Sequence, residues 1–155
     1  MIHQIIHSRS VAETEAAGAL FAKDIRAFFS AFPCFIALQG DLGAGKTAFV
    51  RGVASILSPG SRVKSPTYTI VNEYRRGCCP VFHFDFYRMG DPDGLDSIGF
   101  DEYLMSGICI AEWSENLGER CPANAATVSI VKTGEETRDI RIDWHITGKE
   151  NGSSC

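Results

Sequence analysis

Short apolar runs alternate with segments of helical periodicity in the first part of the chain. Residues 2–7 predict a first strand, and Ser10 with Glu13 has the spacing of a capping box, which marks the start of a helix. The apolar run 35–38 predicts a buried strand, and residues 47–57 place large apolar side chains on one helical stripe. The first predicted helix carries its apolar residues at helical intervals, namely Leu20, Phe21, Ile25, Phe28 and Phe29. The pattern predicts strand, helix, strand and helix in that order.

The middle of the chain has the pattern of a hairpin. Residues 68–74 and 80–86 are rich in β-branched and aromatic residues, and the short segment 75–79 separates them. Because side chains alternate along a strand, the second run predicts one face with three phenylalanines and an opposite face with His83 and Asp85.

The last part of the chain predicts a helix, a buried strand and a closing pair of strands. Asp91 and Pro92 have the properties of a helix cap and a first-turn proline. The continuous apolar run 108–111 indicates a central strand, and the runs 128–131 and 140–146 indicate two paired strands. Helices that interleave with strands early, and hairpins that come later, predict a three-layer α/β domain with a mixed, mainly parallel central sheet.

The composition is ordinary for a soluble globular protein, with 45% hydrophobic and 22% charged residues in 155 positions. We expect residues 1–147 to form a single domain and residues 148–155 to form a disordered tail, because of their polar composition. The formal net charge is -4, so the chain has no strong basic footprint. This charge argues against unaided tight binding to nucleic acid, including DNA.

The cysteines and the N-terminus indicate the compartment. None of the six cysteines forms a C-x-x-C pair, and Cys34 and Cys109 lie within apolar runs, where cysteine serves as a small core residue. The N-terminal segment is too polar for a signal peptide, and no apolar run approaches the length of a membrane span. Reduced thiols without an export signal predict a cytoplasmic protein with no membrane partner.

Residues 40–47, GDLGAGKT, fit the pattern G-x-x-x-x-G-K-[ST] of the phosphate-binding P-loop. Glycines leave room for successive backbone N–H groups to point into one concavity, and the following helix adds further N–H groups and its positive dipole end. In such a loop Lys46 reaches the β- and γ-phosphates and the Thr47 hydroxyl ligates Mg²⁺. The alternative is a glycine-rich turn without a ligand. The flanking strand and helix favour a nucleotide site, and with it a P-loop NTPase-like domain.

Two acids are candidates for completing a Mg²⁺-nucleotide site, which needs a carboxylate at the end of a neighbouring strand. Glu112 follows the apolar strand 108–111, at the sheet edge where ligands bind in open α/β sheets. Asp85 lies near the end of the run 80–86. The alternative for each is a solvated acid at a strand end, although burial beside apolar runs would penalise an unpaired carboxylate.

Three other polar features near these acids have open interpretations. The loop 65–69 is either a switch that senses the γ-phosphate through Thr67 or an ordinary turn. Arg88 pairs either with a phosphate or with a nearby acid. We interpret His83 as a packed or hydrogen-bonded strand histidine rather than as a catalytic group.

The motifs GDLGAGKT, VKSPTYTIVNEY, HFDFYR, DP…GF and EW follow one another as they do in a known family. Over residues 8–146 the chain resembles the TsaE family, the bacterial ATPase subunit of tRNA threonylcarbamoyladenosine biosynthesis. The resemblance implies a compact P-loop domain that binds ATP and Mg²⁺. It also implies a hetero-oligomer with threonylcarbamoyl-transferase subunits of the TsaB and TsaD kind. The resemblance implies that those partners install threonylcarbamoyl on the adenosine beside the tRNA anticodon. It implies that ATP hydrolysis by this subunit supports their repeated turnover, and that this subunit interacts with tRNA only indirectly.

The resemblance also assigns site residues by matching position. Lys46, Asp85 and Glu112 would form the catalytic set, with Asp85 orienting water. Thr47 and Glu112 would hold Mg²⁺, and the segment 10–14 would approach the adenine. The predicted nucleotide-binding residues are Asp41, Leu42, Gly43, Ala44, Gly45, Lys46, Thr47, Ala48, Thr67 in the switch loop, and Trp113.

A small-molecule kinase of the shikimate-kinase-like type is the main alternative, because its P-loop fits the same letters. Such a kinase needs an acceptor pocket and usually an arginine-bearing lid, and the sequence offers only Arg75 and Arg76 in a short hairpin. A GTPase is disfavoured because no N-K-x-D guanine signature follows residues 91–94. With no obvious arginine finger, we expect slow ATP hydrolysis by the isolated chain and activation by its partner subunits.

Overall fold

Seven strands form one sheet in a computed structural model of the chain, which describes residues 1–28, 33–91 and 93–145. In chain order the strands are β1 (Ile2–Ser8), β2 (Cys34–Gln39), β3 (Val71–Tyr74), β4 (Val81–Asp85), β5 (Ile108–Glu112), β6 (Ala126–Lys132) and β7 (Arg138–Trp144). Their order across the sheet is β1-β7-β6-β2-β5-β4-β3. The central strands β6, β2, β5 and β4 are parallel, whereas the pairs β1–β7, β6–β7 and β3–β4 are antiparallel. The predicted mixed sheet is confirmed, and its parallel part occupies the centre.

Helices cover both faces of the sheet. They are α1 (Val11–Phe28), α2 (Lys46–Leu57), α3 (Gly94–Ser97) and α4 (Phe100–Ser106), and a 3₁₀ segment spans Ser114–Arg120. Side-chain alternation along β2 creates the two cores. Ile36 and Leu38 share one core with α1 and α2, whereas Phe35 and Ala37 share the other with residues of α3, α4 and the 3₁₀ segment. The predicted three-layer α/β fold is confirmed.

The apolar stripe predicted along α1 is only partly buried. Phe21 and Ile25 lie in the core, whereas Leu20 and Phe28 are exposed to solvent. Phe29 lies outside the described residues. Neither α1 nor any other helix in the described part of the chain is long and apolar enough to cross a bilayer.

β3 begins at Val71, later than the predicted start of its run. Residues 66–70 form a turn instead, in which the Ile70 N–H donates to the Pro66 carbonyl at 2.8 Å. Ile70 has a φ angle of 67°, in the left-handed region that a β-branched residue rarely adopts. This turn delays the start of the strand and brings the preceding polar residues towards the end of β4.

α3 begins at Gly94, after the cap that the sequence predicted at Asp91 and Pro92. The Asp91 carboxylate accepts the Asp93 N–H at 3.0 Å, so Asp91 stabilises a turn that precedes the helix. Pro92 lies outside the described residues, and so does the predicted tail 148–155.

Of the two cysteines predicted to fill the core, Cys109 lies in it and Cys34 packs against it. Cys109 is buried and Cys34 is half-buried. Burial raises the pKa of the Cys34 thiol to about 12, and neighbouring Cys79 adds to this shift. Burial also raises the pKa of Cys109. Both side chains are therefore packed, protonated thiols at neutral pH.

α1 and α2 approach closely at Gly18 and Gly52. A Cβ atom at Gly52 would collide with the carbonyl oxygen of Glu15, which is backbone and yields only if the helices separate. We expect Gly52→Ala to lower the free energy of unfolding by roughly 1–3 kcal/mol, the usual cost of overpacking. Urea denaturation measures this change. Gly94→Ala is the matched control, because its Cβ meets only the Met89 side chain at 3.9 Å. Equal losses in both variants would contradict the close helix contact.

Candidate functional site

The turn between β2 and α2 contains the P-loop motif, residues 40–47. Gly40, Gly43 and Gly45 have positive φ angles of 147°, 76° and 104°. A side chain at Gly40 would also press on the carbonyl oxygen of Ile130. Because only glycine adopts these conformations without strain, the three glycines are required by the backbone path itself. The strand–turn–helix context that the motif needs is present.

The Lys46 side chain folds back into this turn. Its Nζ atom donates to the carbonyl oxygens of Gly40 and Asp41, and it lies 4.2 Å from the centre of the Trp113 ring. Burial lowers the pKa of Lys46, and nearby carboxylates, Glu112 first among them, oppose that shift. The ammonium is therefore held inside the loop by neutral carbonyl groups, which an anion can replace.

The carboxyl ends of β4 and β5 place two buried acids side by side. Asp85 is paired with Glu112 in the parallel register, and the two residues are only 7% and 4% exposed. The Glu112 Oε1 atom accepts the Thr47 hydroxyl at 2.9 Å, which joins β5 to the first turn of α2. Both predicted acids thus lie at the sheet edge that carries the P-loop.

Asp85 accepts hydrogen bonds from two loops. Its Oδ2 atom accepts the hydroxyls of Ser65, at 3.1 Å, and Thr67, at 2.9 Å. Its Oδ1 atom accepts the backbone N–H of Tyr87 at 2.9 Å. These bonds attach the loop 65–69, the predicted switch or turn, to the second acid of the site.

Trp113 redirects the chain directly after β5. Its φ angle of 57° lies in the left-handed region, where a bulky residue is uncommon and where strain often marks a functional site. The bend places the indole ring beside Lys46, and the ring of Tyr87 packs against it at 4.9 Å between centres. The two aromatic rings form one wall of the site.

A cleft of about 500 Å³ lies between the P-loop, the two acids and the loop 65–69. Its lining includes nearly all predicted site residues, namely Leu42, Gly43, Ala44, Gly45, Lys46, Thr47, Ala48, Thr67, Asp85, Glu112 and Trp113. Asp41 is not in this lining, although its carbonyl holds Lys46. Val11, from the segment predicted to approach the adenine, also lines the cleft.

Two arginines outside the predicted set of site residues also line the cleft. Arg138, at the start of β7, donates from Nε to the Ala44 carbonyl at 2.7 Å and from Nη2 to the Gly43 carbonyl at 3.2 Å. Arg51, on α2, pairs with Glu15 at 2.8 Å. No local pattern signals the Arg138 contact, because the residues that it joins are more than ninety positions apart in the sequence.

Arg88 and His83, for which the sequence predicted either alternative partners or a purely structural role, both have defined contacts in the structure. The Arg88 guanidinium lies 4.8 Å from the centre of the Tyr68 ring. His83 is fully buried, as expected of a packed strand histidine, but its Nε2 atom lies 2.7 Å from Glu112 Oε1. His83 therefore lies next to the site. The sequence feature that could have indicated this position is its predicted place on the same strand face as Asp85.

The residues present fit Mg²⁺ bound together with a nucleotide. Among the described residues no cluster of three or more His, Cys, Asp or Glu side chains has the arrangement of a metal cage. Mg²⁺ seldom uses such a cage, because it is usually held by one or two carboxylates together with substrate phosphates and water. The Thr47 hydroxyl and the Glu112 carboxylate are hard oxygen donors that meet beside the P-loop.

Comparisons with known proteins give matches over most of the chain. A family model described as "Threonylcarbamoyl adenosine biosynthesis protein TsaE" matches residues 8–140. The tRNA threonylcarbamoyladenosine biosynthesis protein TsaE of Bacillus subtilis is 41% identical over 106 residues, which are 68% of this chain and 66% of that protein. The TsaE protein of Haemophilus influenzae is 40% identical over 126 residues, which are 81% of this chain and 79% of that protein. The crystal structure of Bacillus subtilis YdiB has a TM-score of 0.72 at 31% identity, and the alignment covers 91% of this chain and 84% of that chain.

Proposed function

This chain belongs to the TsaE family of threonylcarbamoyl adenosine biosynthesis proteins, and from that premise we propose that it binds ATP with Mg²⁺ and hydrolyses it. One observation carries the proposal. The Thr47 hydroxyl meets the buried Glu112 carboxylate at 2.9 Å, within a cleft that the P-loop and Lys46 also line. A phosphate-binding turn and two oxygen donors for Mg²⁺ at one place are the parts that a P-loop nucleotide site requires.

The chain's own groups have separate tasks in this proposal. The backbone N–H groups of residues 43–48 hold the phosphates, and Lys46 moves from the loop carbonyls to the β- and γ-phosphates. Thr47 and Glu112 hold Mg²⁺, which when bound neutralises charge on the phosphate oxygens. Asp85, with the loop hydroxyls attached to it, orients the attacking water.

The role in the pathway follows from the family, and the arrangement with partners is part of the proposal. Members of this family act in tRNA threonylcarbamoyladenosine biosynthesis. We assign the group transfer to threonylcarbamoyl-transferase subunits of the TsaB and TsaD kind. In this scheme ATP hydrolysis by the present chain supports their repeated turnover, and the tRNA is bound through the partners.

The kinase alternative is less well supported by the structure. Arg75 pairs with Glu73 at 2.7 Å and packs over the ring of Phe82, and neither Arg75 nor Arg76 is part of the cleft lining. Within the described residues the arginines of the cleft lining, Arg51 and Arg138, belong to α2 and β7 rather than to a lid. We therefore favour transfer of the phosphoryl group to water.

Calorimetric titration tests the proposal directly. ATP should bind the isolated chain, and its affinity should fall when EDTA removes Mg²⁺. Phosphate release should continue at the same rate when candidate small acceptors are added. Absence of ATP binding would overturn the nucleotide site, whereas release that depends on an acceptor would support a kinase.

Glu112→Gln should weaken Mg²⁺ binding, and so shift the Mg²⁺ midpoint, more than it weakens nucleotide binding. The substitution removes the negative charge of a proposed metal ligand and keeps the side-chain shape. Trp113 provides the readout, since its indole ring lies beside Lys46. Trp144, which packs against Phe21 in the core, is first replaced in Trp144→Phe. Fluorescence is then measured while Mg²⁺ is titrated at fixed ATP. An unchanged Mg²⁺ midpoint in Glu112→Gln would mean that this carboxylate is not a metal ligand.

A further inference from the structure

A buried chain of hydrogen bonds lies behind the proposed metal site. His83 is fully buried, and its Nε2 atom lies 2.7 Å from Glu112 Oε1. Its other ring nitrogen, Nδ1, lies 3.0 Å from the Tyr74 hydroxyl. Tyr74 is itself only 6% exposed and reaches the Lys64 carbonyl at 3.4 Å. The chain of hydrogen bonds thus runs from Glu112 through His83 to Tyr74.

The chemistry of these groups fixes the direction of the bonds. An ionised carboxylate only accepts, so the contact with Glu112 requires the proton of His83 to be on Nε2. In the neutral ring Nδ1 is then the acceptor, and the Tyr74 hydroxyl donates to it. Burial raises the pKa of Tyr74, which keeps this hydroxyl protonated.

The position of these bonds on Glu112 is informative. Among the described residues, both hydrogen bonds to its carboxylate, from Thr47 and from His83, end on Oε1. The Oε2 atom is thereby left for a ligand in the cleft, which Glu112 lines. Two donors on one oxygen also fix the rotation of the carboxylate, which would otherwise be free to turn.

We propose that His83 is a positioning residue, which together with Tyr74 orients the Glu112 carboxylate for the metal. This inference rests on the proposed function. His83 acts through Glu112 and does not touch the nucleotide. Histidines and carboxylates behind metal ligands typically change metal affinity or activity 10–100-fold when they are replaced.

The first test uses the metal-free protein. Nitrogen NMR of the histidine side chains should show one ring in the Nε2–H form with Nδ1 accepting a hydrogen bond. The signal should be absent from His83→Gln, which assigns it, and Tyr74→Phe should shift its Nδ1 resonance. A proton on Nδ1 instead of Nε2 would overturn the proposal, since Glu112 would then lose its donor. This readout is independent of ATP and Mg²⁺ binding.

The second test measures Mg²⁺ dependence through Trp113 fluorescence at fixed ATP, in the Trp144→Phe background. His83→Leu should raise the Mg²⁺ midpoint by ~10-fold or more and leave ATP affinity in EDTA unchanged. His83→Gln, which keeps an N–H donor towards Glu112, should restore most of the wild-type value. Tyr74→Phe should raise the midpoint less than His83→Leu.

Phe82→Leu is the matched control, because Phe82 is buried on the same strand and belongs to the core on the opposite face. Urea denaturation shows that each variant is folded, and if His83→Leu is not, His83→Gln and Tyr74→Phe decide the question. Equal Mg²⁺ midpoints in His83→Leu and Phe82→Leu, or in Tyr74→Phe and wild type, would overturn the positioning role. Failure of the wild type to respond to Mg²⁺ would instead overturn the proposed function.

Discussion

Replacing Lys46 with alanine is expected to lower ATP turnover by ~10²–10³, the loss that follows removal of one preorganised donor from a site of developing charge. Its Nζ atom is held within the P-loop by the carbonyls of Gly40 and Asp41, so it is already next to the concavity that would receive phosphates. No other lysine of the described residues lines the cleft. Phosphate release and calorimetric titration with ATP measure the loss.

Folding and charge need separate controls for Lys46→Ala. Lys23 on α1 is exposed and lies outside the cleft lining, so Lys23→Ala removes the same charge without touching the site. Urea denaturation of Lys46→Ala should give a normal cooperative transition, because the carbonyls of the exposed loop are then solvated by water. Wild-type turnover in Lys46→Ala would rule out the P-loop assignment.

Thr47 offers a sharper version of the same experiment. Thr47→Ala should remove Mg²⁺-dependent turnover, whereas Thr47→Ser should retain most of it, since serine keeps the hydroxyl that Glu112 accepts. Turnover is measured as a function of Mg²⁺ concentration for both variants. If serine and alanine are equally defective, shape rather than the hydroxyl is responsible.

Partner subunits should raise ATP hydrolysis by ~10³ or more, the effect of an arginine supplied to a phosphoryl-transfer site by a second protein. The structure gives a physical reason to expect slow hydrolysis by the isolated chain. In the described residues the cleft contains two arginines, and both are already engaged. Arg138 donates to five backbone carbonyls, including those of Gly43 and Ala44, and Arg51 pairs with Glu15. A free guanidinium would therefore come from a partner.

The measurement is phosphate release by the chain alone, with the transferase subunits, and with those subunits and tRNA. Asp85→Ala should abolish the stimulated rate and leave ATP binding largely intact, because Asp85 anchors Ser65 and Thr67 rather than the P-loop. Asp139→Ala is the control, since Asp139 is an acid on β7 that pairs with His7 outside the cleft lining. Equal rates in all three mixtures would contradict activation by partners and would mean that the chain hydrolyses ATP without them.

Local sequence was sufficient for the parts of the site that are contiguous in the chain. Residues 40–47 contain the glycines, the lysine and the threonine of the P-loop, and the adjacent apolar periods specify β2 and α2. Glu112 was found because an apolar run ends on it, and the carboxyl ends of parallel strands share one edge of a sheet. These inferences needed only the position of each residue within its own element.

Element ends and surface exposure were predicted less well. β3 was expected from Tyr68 but starts at Val71, because Ile70 adopts a left-handed conformation that no propensity favours. Leu20 and Phe28 fit the helical stripe of α1 but remain exposed, since burial depends on what covers a helix as well as on its period. In each case tertiary packing overrides the local preference.

The sequence by itself determined the layered α/β fold, the P-loop motif and the strand ends at which the two acids lie, because each follows from a repeat or motif within a few residues. The tertiary structure alone decided which side chains surround them. Arg138 reaches the P-loop from more than ninety residues away, and the His83–Glu112 bond joins positions 29 apart on neighbouring strands. Strand order and register create these contacts, and hydrophobic periodicity specifies faces but not neighbours. For that reason the residues proposed to bind the nucleotide and Mg²⁺ were identifiable in the sequence, whereas the bonds that His83 and Arg138 make to this site were identifiable only in the fold.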